Sequence, residues 1–438
     1  MTSLLTDTGT AHRDGEVPSW VRELREAGAA AAASLGLPTP RLESWRFTDL
    51  RAVENIDFAA PRAHAPKLAS GAFAAFEIEE LDVARAVFVD GAFSPALSDM
   101  AGMDPARVML LSDAVRECEA ELRDRLGTLM LAPEDGLEAL NQSRMDDGVV
   151  VIVPDGATIE RPLEILCVST GEGDPVAWHP RHVIVAGKGS KVRVLEHSVS
   201  MTDDAVSLTN SVTEVFADED ARVEHYFLER DSRSAFNIST LATNQETRSD
   251  VHSHTVLLGG KVVRNNVQPT LNGANAHCLI NGLYVGDGDQ LLDNAMRVRH
   301  SAPDCQSRQH YKGIMNGKSR GVFTGRIIVD KAGQQTDAVQ SSRAMLLSES
   351  ARATARPQLE IYADDVKCTH GATTGRVDDE AVFYFMSRGL SEEVSRAMLI
   401  YAFAAEGFDR MELVPVRRLL AREMIAKLPK AAGLSIEV

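Results

Sequence analysis

A chain of 438 residues is two to four times a typical domain, so it holds several units or one extended architecture. Its formal net charge of −17 speaks against a nucleic-acid binder, which needs clustered Lys and Arg to neutralise phosphates. The first thirty residues lack the apolar core of an export signal and no stretch of about 18 apolar residues occurs, so the expectation is a cytoplasmic protein without a membrane span.

Residues 1–145 read as a helical or mixed domain. Ser19 is the expected N-cap of an Ala-rich amphipathic helix that Gly36 and Pro38 stop, and a second helical pattern covers Leu110–Leu131. Ala60–Gly91, rich in Ala and Pro, carries no clear assignment. From Asp147 the pattern becomes short β-branched runs broken by Gly, Asp and Asn turns, such as RHVIVAGKGSKVRVLEH, AHCLINGLYV and RGVFTGRIIV. Two weak echoes run through this part. Asn281-Gly282-Leu283-Tyr284-Val285 resembles Thr324-Gly325-Arg326-Ile327-Ile328 at an offset of 43 to 44 residues, and Gly189–Val194 resembles Asp220–Glu224. Irregular repetition of strands suits a β-helix over residues 146–375, with turn insertions at its corners.

The helical period returns in residues 376–438. Asp378-Asp379-Glu380 starts one helix that Gly389 follows, and Ser391 starts a second that Gly407 ends. Within the second, Met398–Ala405 is apolar on every face, so it is buried all round or covered by another chain. Leu420, Met424 and Leu428 mark a last helix that Pro429 stops.

Most familiar motifs fail. Gly313-Ile314-Met315-Asn316-Gly317-Lys318-Ser319 resembles a phosphate loop but is one residue short of the spacing that wraps backbone N–H groups around phosphates, so no nucleotide site is expected. Gly286-Asp287-Gly288-Asp289 lacks further carboxylates at calcium-loop spacing and reads as a turn. His252 and His254 alternate on one predicted strand and His277 adjoins Cys278. They are read as structural, because a transition-metal site needs three or four converging donors. Neither a GxSxG elbow nor an HExxH helix is present. The five cysteines, Cys118, Cys167, Cys278, Cys305 and Cys368, form no CxxC pair, which suits a reducing compartment and small core thiols.

Gln358–Thr373, QLEIYADDVKCTHGAT, carries the most chemistry per residue. Val366, Cys368 and His370 share one strand face, which puts a thiol and an imidazole about 7 Å apart at their bases. Two such donors suit iron or zinc but fill half a coordination sphere, so the remainder would come from another subunit. A buried Cys and a hydrogen-bonded His at a β-helix end remain the other reading of the same residues.

PQLEIYADDVKCTHGATTG, followed by DDEAVFYFMSRGLSEEVSRAMLIYAFAAE, closely resembles the C-terminal signature of the SufD branch of the SufB/SufD family, subunits of the Suf iron–sulfur cluster assembly complex. The similarity extends upstream through HYKGIMNGKSRGVFTGRIIV and RPLEILCVS to LESWRFTDL. The SufB branch typically has Glu after the matching His and an N-terminal cysteine cluster, whereas Gly371 follows His370 here. The resemblance implies a mainly β fold, a right-handed parallel β-helix between helical ends, pairing with SufB through the β-helix, and docking of the ATPase SufC on the C-terminal helices. His370, with Cys368 second to it, is then the residue expected to meet a nascent iron–sulfur cluster or iron, held transiently and shared with SufB. Met398, Ile400, Tyr401 and Phe403 are the expected SufC contacts, and the chain itself is expected to be a non-catalytic scaffold. Two alternatives are a carbohydrate-active β-helix enzyme, against which the low count of three Trp and six Tyr and the missing export signal speak, and a structural homodimer.

Overall fold

The computed structural model describes residues 17–427 apart from 69, 70, 73, 131, 132 and 146. The β-branched runs alternate between two ten-stranded sheets, so that each coil of a solenoid gives one strand to each. The first sheet runs from Ala92–Phe93 and Ala84–Val89 through Leu163–Ser169, Lys191–Ser200, Arg222–Arg230, Asp250–Leu257, His277–Gly286, Gln306–Met315 and Asp337–Leu346 to Lys367–Gly375. The second runs from Arg107–Leu110 and Val149–Val153 to Arg320–Val329 and Arg352–Ile361. About eight turns result. Their interior is apolar where the runs alternate, with Val194, Val223, Val251, Ile280, Leu292 and Phe323 in one continuous core.

Register measures the repeat directly. Asp250, His277, Gln306, Asp337 and Lys367 stand in line on successive strands, so a coil is about 27 to 31 residues. The echo between Gly189–Val194 and Asp220–Glu224 follows this register, Lys191 pairing with Arg222. The offset of 43 to 44 residues does not: it joins the strand His277–Gly286 of the first sheet to Arg320–Val329 of the second. Similar turn residues recur at every corner, which is why a half-coil misalignment resembles a repeat.

The two ends of the solenoid differ. At the N-terminal end both sheets finish in short antiparallel strands, Ala92–Phe93 against Ala84–Val89 and Arg107–Leu110 against Val149–Val153. Three of these precede residue 146 and close the coil stack, as terminal repeats of solenoids do. At the other end the sheets stop at Arg352–Ile361 and Lys367–Gly375, each paired only with the preceding coil among the described residues.

Helices cover the flanks. The helix Ser19–Leu35 lies against Gly136–Arg144 so closely that a side chain at Gly28 would strike the Ser143 backbone. Ser19 is the first helical residue, not the cap: Pro18 holds that position without a side-chain bond, and its fixed φ of −52° suits the chain just before a first turn. Gly36, at φ +65°, ends the helix as expected. Leu110–Leu131 is not one helix. It breaks at Cys118 into Leu111–Glu117 and Glu119–Leu122, followed by a 3₁₀ turn at Thr128–Met130, because packing on Val150, Ile152 and Val183 overrides the local period. Leu131 lies outside the described residues. Within 60–91 the strand Ala84–Val89 is regular and the other described residues are turns, bends and irregular chain.

The LESWRFTDL segment anchors the N-terminal part on the second sheet. Trp45 is fully buried, donates its indole N–H to Asp135 Oδ2 at 2.7 Å, and lies 4.0 Å beneath the Arg264 guanidinium. Nearby, Arg181 and Glu214 form a fully buried pair at 2.6 Å, and Glu214 also accepts the backbone N–H groups of Gly127 and Leu129. The C-terminal helices are Asp379–Met386, Glu392–Ala405 and Val414–Lys427; Ser391 caps the second as expected, accepting from the Val394 N–H, and within the acidic start of the first it is Asp378 that caps, accepting from the Glu380 N–H. Leu428 and Pro429 lie outside the described residues. The helices pack beside the first sheet rather than across its end, with Ile400, Ala404, Val416 and Leu420 on Leu228, Val256, Leu283 and Ile314. No helix among the described residues is long and apolar enough to cross a membrane.

Candidate functional site

Because the helices lie along the flank, the last coil is left open among the described residues. Cys368 pairs in register with Ala338 and His370 with Gln340, both buried positions of the preceding coil. Alternate residues of a strand share a face, so Cys368 and His370 both belong to the inward face of the last coil, in line with the buried Ala338 and Gln340. Cys368 is half-buried beside Ile327, Val329 and Ala338, together with Val366, and burial pushes its thiol above the ordinary range. His370 is exposed. Behind it runs a polar ladder: Gln340 donates to Gln309 Oε1 at 2.8 Å, and Gln340 Oε1 has no hydrogen-bond partner among the described residues. An accessible imidazole next to a partly screened thiol can ligate a soft or borderline metal ion or accept a proton.

The four apolar residues expected to meet the ATPase do not share one environment. Ile400 is buried against the solenoid, Phe403 is half-buried with the Lys312 ammonium 4.3 Å above its ring, and Met398 and Tyr401 are half-buried. The helix is therefore not buried all round. The large apolar side chains that stand out belong to the preceding helix, where Phe383 is 72% and Tyr384 54% exposed.

Gly313–Ser319 ends one strand and turns into the next, with Gly317 at φ +60°, and no helix follows it. In the acidic turn, Asp287 accepts from Asn316 Nδ2 at 3.0 Å and its own N–H reaches Gln290 Oε1, a corner brace between coils. His254 is buried and stacked on Tyr226 at 5.0 Å. His252 and His277, which look isolated in the sequence, are neighbours: strand pairing sets Asp250 beside His277, and Asp250 Oδ1 lies 3.0 Å from His252 Nε2 and 2.6 Å from His277 Nδ1. The spacing of one coil between Asp250-x-His252 and His277 was the only signal, legible once the coil length is known.

Comparison with known proteins agrees with this architecture. Residues 167–403 match the model of the SUF system FeS cluster assembly SufBD core domain, and residues 8–165 match the SufBD protein N-terminal region. The chain belongs to the SufBD family. Among its SufBD relatives, the iron–sulfur cluster assembly SufBD family protein of Synechocystis is 32% identical over 403 residues, 90% of this chain and 88% of the relative. Iron–sulfur cluster assembly protein SufD of Escherichia coli is 31% identical over 399 residues, 91% and 90% of the two chains. SufD of Bacillus subtilis is 24% identical over 414 residues, 92% and 93% of the two. This SufBD protein is thus a SufD-like member of an iron–sulfur cluster assembly family, and the carbohydrate-active reading is set aside.

Proposed function

We propose that the chain is the SufD-like scaffold subunit of a SufBCD complex, without catalysis of its own, and that its open coil pairs with SufB so that His370 faces a nascent cluster assembled between them. The observation that carries this reading is the end of the solenoid that is uncapped among the described residues, with two long edge strands, one of which bears the exposed His370 and the half-buried Cys368. Exposed long edges normally invite strand addition unless a protein blunts or covers them. A chain that caps one end and leaves the other bare is built to be continued by a partner. Cluster iron would take the imidazole as one ligand and its remaining ligands from SufB. The SufC surface would be the pair of helices Asp379–Met386 and Glu392–Ala405, with Phe383, Tyr384, Met398 and Tyr401 as contacts and Ile400 and Phe403 holding the helix on the solenoid.

The test is His370→Ala in the complex purified anaerobically. The expected outcome is loss of iron and sulfide from the complex, with SufB still bound and the melting curve of the isolated chain unchanged, since an exposed imidazole contributes little packing. Normal iron and sulfide would remove His370 from the site. Gel filtration of the chain alone tests the second use of the same edges, a homodimer.

A further inference from the structure

We propose that Glu224, Asp250, His252, His277 and Glu412 form a binding site for a single divalent first-row transition metal ion at the seam between the first sheet and the C-terminal helices. The seam lies on the solenoid flank, in earlier coils than the strand that bears His370, and the inference does not depend on the role of that residue.

Three strands and one connection build the seam. Strands Arg222–Arg230, Asp250–Leu257 and His277–Gly286 are adjacent and in register, with Glu224 beside His252 and Asp250 beside His277. Glu412 comes from the connection between helices Glu392–Ala405 and Val414–Lys427. That connection is pinned in place, because the Tyr226 hydroxyl accepts the backbone N–H groups of Glu412 and Leu413 at 3.2 and 3.3 Å while donating to Glu224 Oε2 at 2.8 Å. Two donor triplets converge, Asp250, His252 and His277 in one and Glu224, His252 and Glu412 in the other, with the ligand atoms of each triplet within 4.8 Å of one another. His252 belongs to both.

The chemistry of the set asks for a cation. Three carboxylates meet one guanidinium, that of Arg222, which reaches Glu224 Oε1 at 3.2 Å, lies 3.9 Å from Asp250 and also pairs with Glu412. Glu224 is buried and faces the Glu412 carboxyl across the seam, a crowding of like charge that a cation would relieve. The buried Nδ1 of His252 has no hydrogen-bond partner among the described residues. Imidazole nitrogen with carboxylate oxygen, and no sulfur, suits Zn²⁺, Fe²⁺ or Mn²⁺ better than a thiophilic ion. Bond lengths near 2.1 Å to such donors require the Asp250 contacts to open only slightly.

The experiment uses the full chain, stripped with a chelator and titrated with Zn²⁺ and, separately, with Co²⁺ as a spectroscopic probe. One equivalent of metal should bind and raise Tm, and bound Co²⁺ should show visible bands without a thiolate charge-transfer band. His252→Gln and His277→Gln should each weaken uptake by at least about tenfold. The Tm of each metal-free variant reports whether it is folded, and Glu412→Gln, on the exposed connection, supplies a variant that folding does not confound. The proposal is overturned by the absence of stoichiometric uptake, by uptake indifferent to the His252, His277 and Glu412 changes, or by a thiolate band that vanishes in Cys368→Ser.

Discussion

His300 ends the strand Leu291–His300 inside the solenoid, where one ring nitrogen contacts Ser307 Oγ at 2.9 Å and the other has no partner among the described residues. Burial lowers its pKa from 6.5 to about 4, because the core cannot solvate an imidazolium. The sign follows: above pH 6.5 the ring is neutral folded or unfolded, and between 6.5 and 4 only the unfolded chain takes the proton. This residue therefore contributes stability that is complete above pH 6.5 and is lost as pH falls toward 4. Between pH 7 and 5 the loss amounts to about 2 kcal/mol. Denaturant unfolding at the two pH values should show a smaller decline for His300→Asn than for the unmodified chain, and equal declines would refute the assignment.

At the scale of elements, two contacts hold the flanking helices by different physics. The buried Arg181–Glu214 pair fixes the 127–129 turn to the second sheet, and Arg181 also donates to Asn141 Oδ1 at 3.0 Å. Glu214→Ala leaves a buried guanidinium unpaired and should cost about 3–5 kcal/mol in denaturant titration. The C-terminal helix Glu392–Ala405 instead rests on apolar burial. Ile400→Asp places a charge in that contact and should lower stability by at least about 3 kcal/mol. Phe383→Glu and Tyr401→Asp probe the outer side of the same helices. For the exposed Phe383 the change in stability should stay near 0.5 kcal/mol, while co-purification with SufC weakens by roughly thirtyfold if this residue is an interface anchor. Retained co-purification in both variants would exclude this face.

Across the whole molecule the decisive feature is polarity: an N-terminal end closed by antiparallel strands and a C-terminal end where, among the described residues, both sheets finish in edge strands unpaired on their outer side. Lys367 N–H donates to Thr336 O of the preceding coil, so the N–H groups of the even-numbered residues, Ala372 among them, point to the free edge. Ala372→Pro removes one of these donors while sparing the bonds within the chain, a substitution that edge strands tolerate. Its expected effect is weakened association with SufB at nearly unchanged Tm. Full association would show that the partner approaches elsewhere.

The β-rich middle, the helical ends, the acidic helix start at Asp378–Glu380 and the cap at Ser391 were legible in the residues themselves, because strand and helix periods and cap chemistry are local properties. So was the strand that carries Cys368 and His370, since two residues apart on a strand means one face. The coil length was not legible. Corner turns recur twice per coil, and only hydrogen-bonded register separates a whole coil from a half, which is why the 43-residue echo was false. Nor could the order of residues place Ile400 inward and Phe383 outward, since an all-apolar helix carries no mark of the side it buries until it meets Leu283 and Ile314. His252 and His277 were read as isolated for the same reason. They stand 25 positions apart in the sequence, and only parallel pairing, which stacks residues one coil apart, brings both against Asp250.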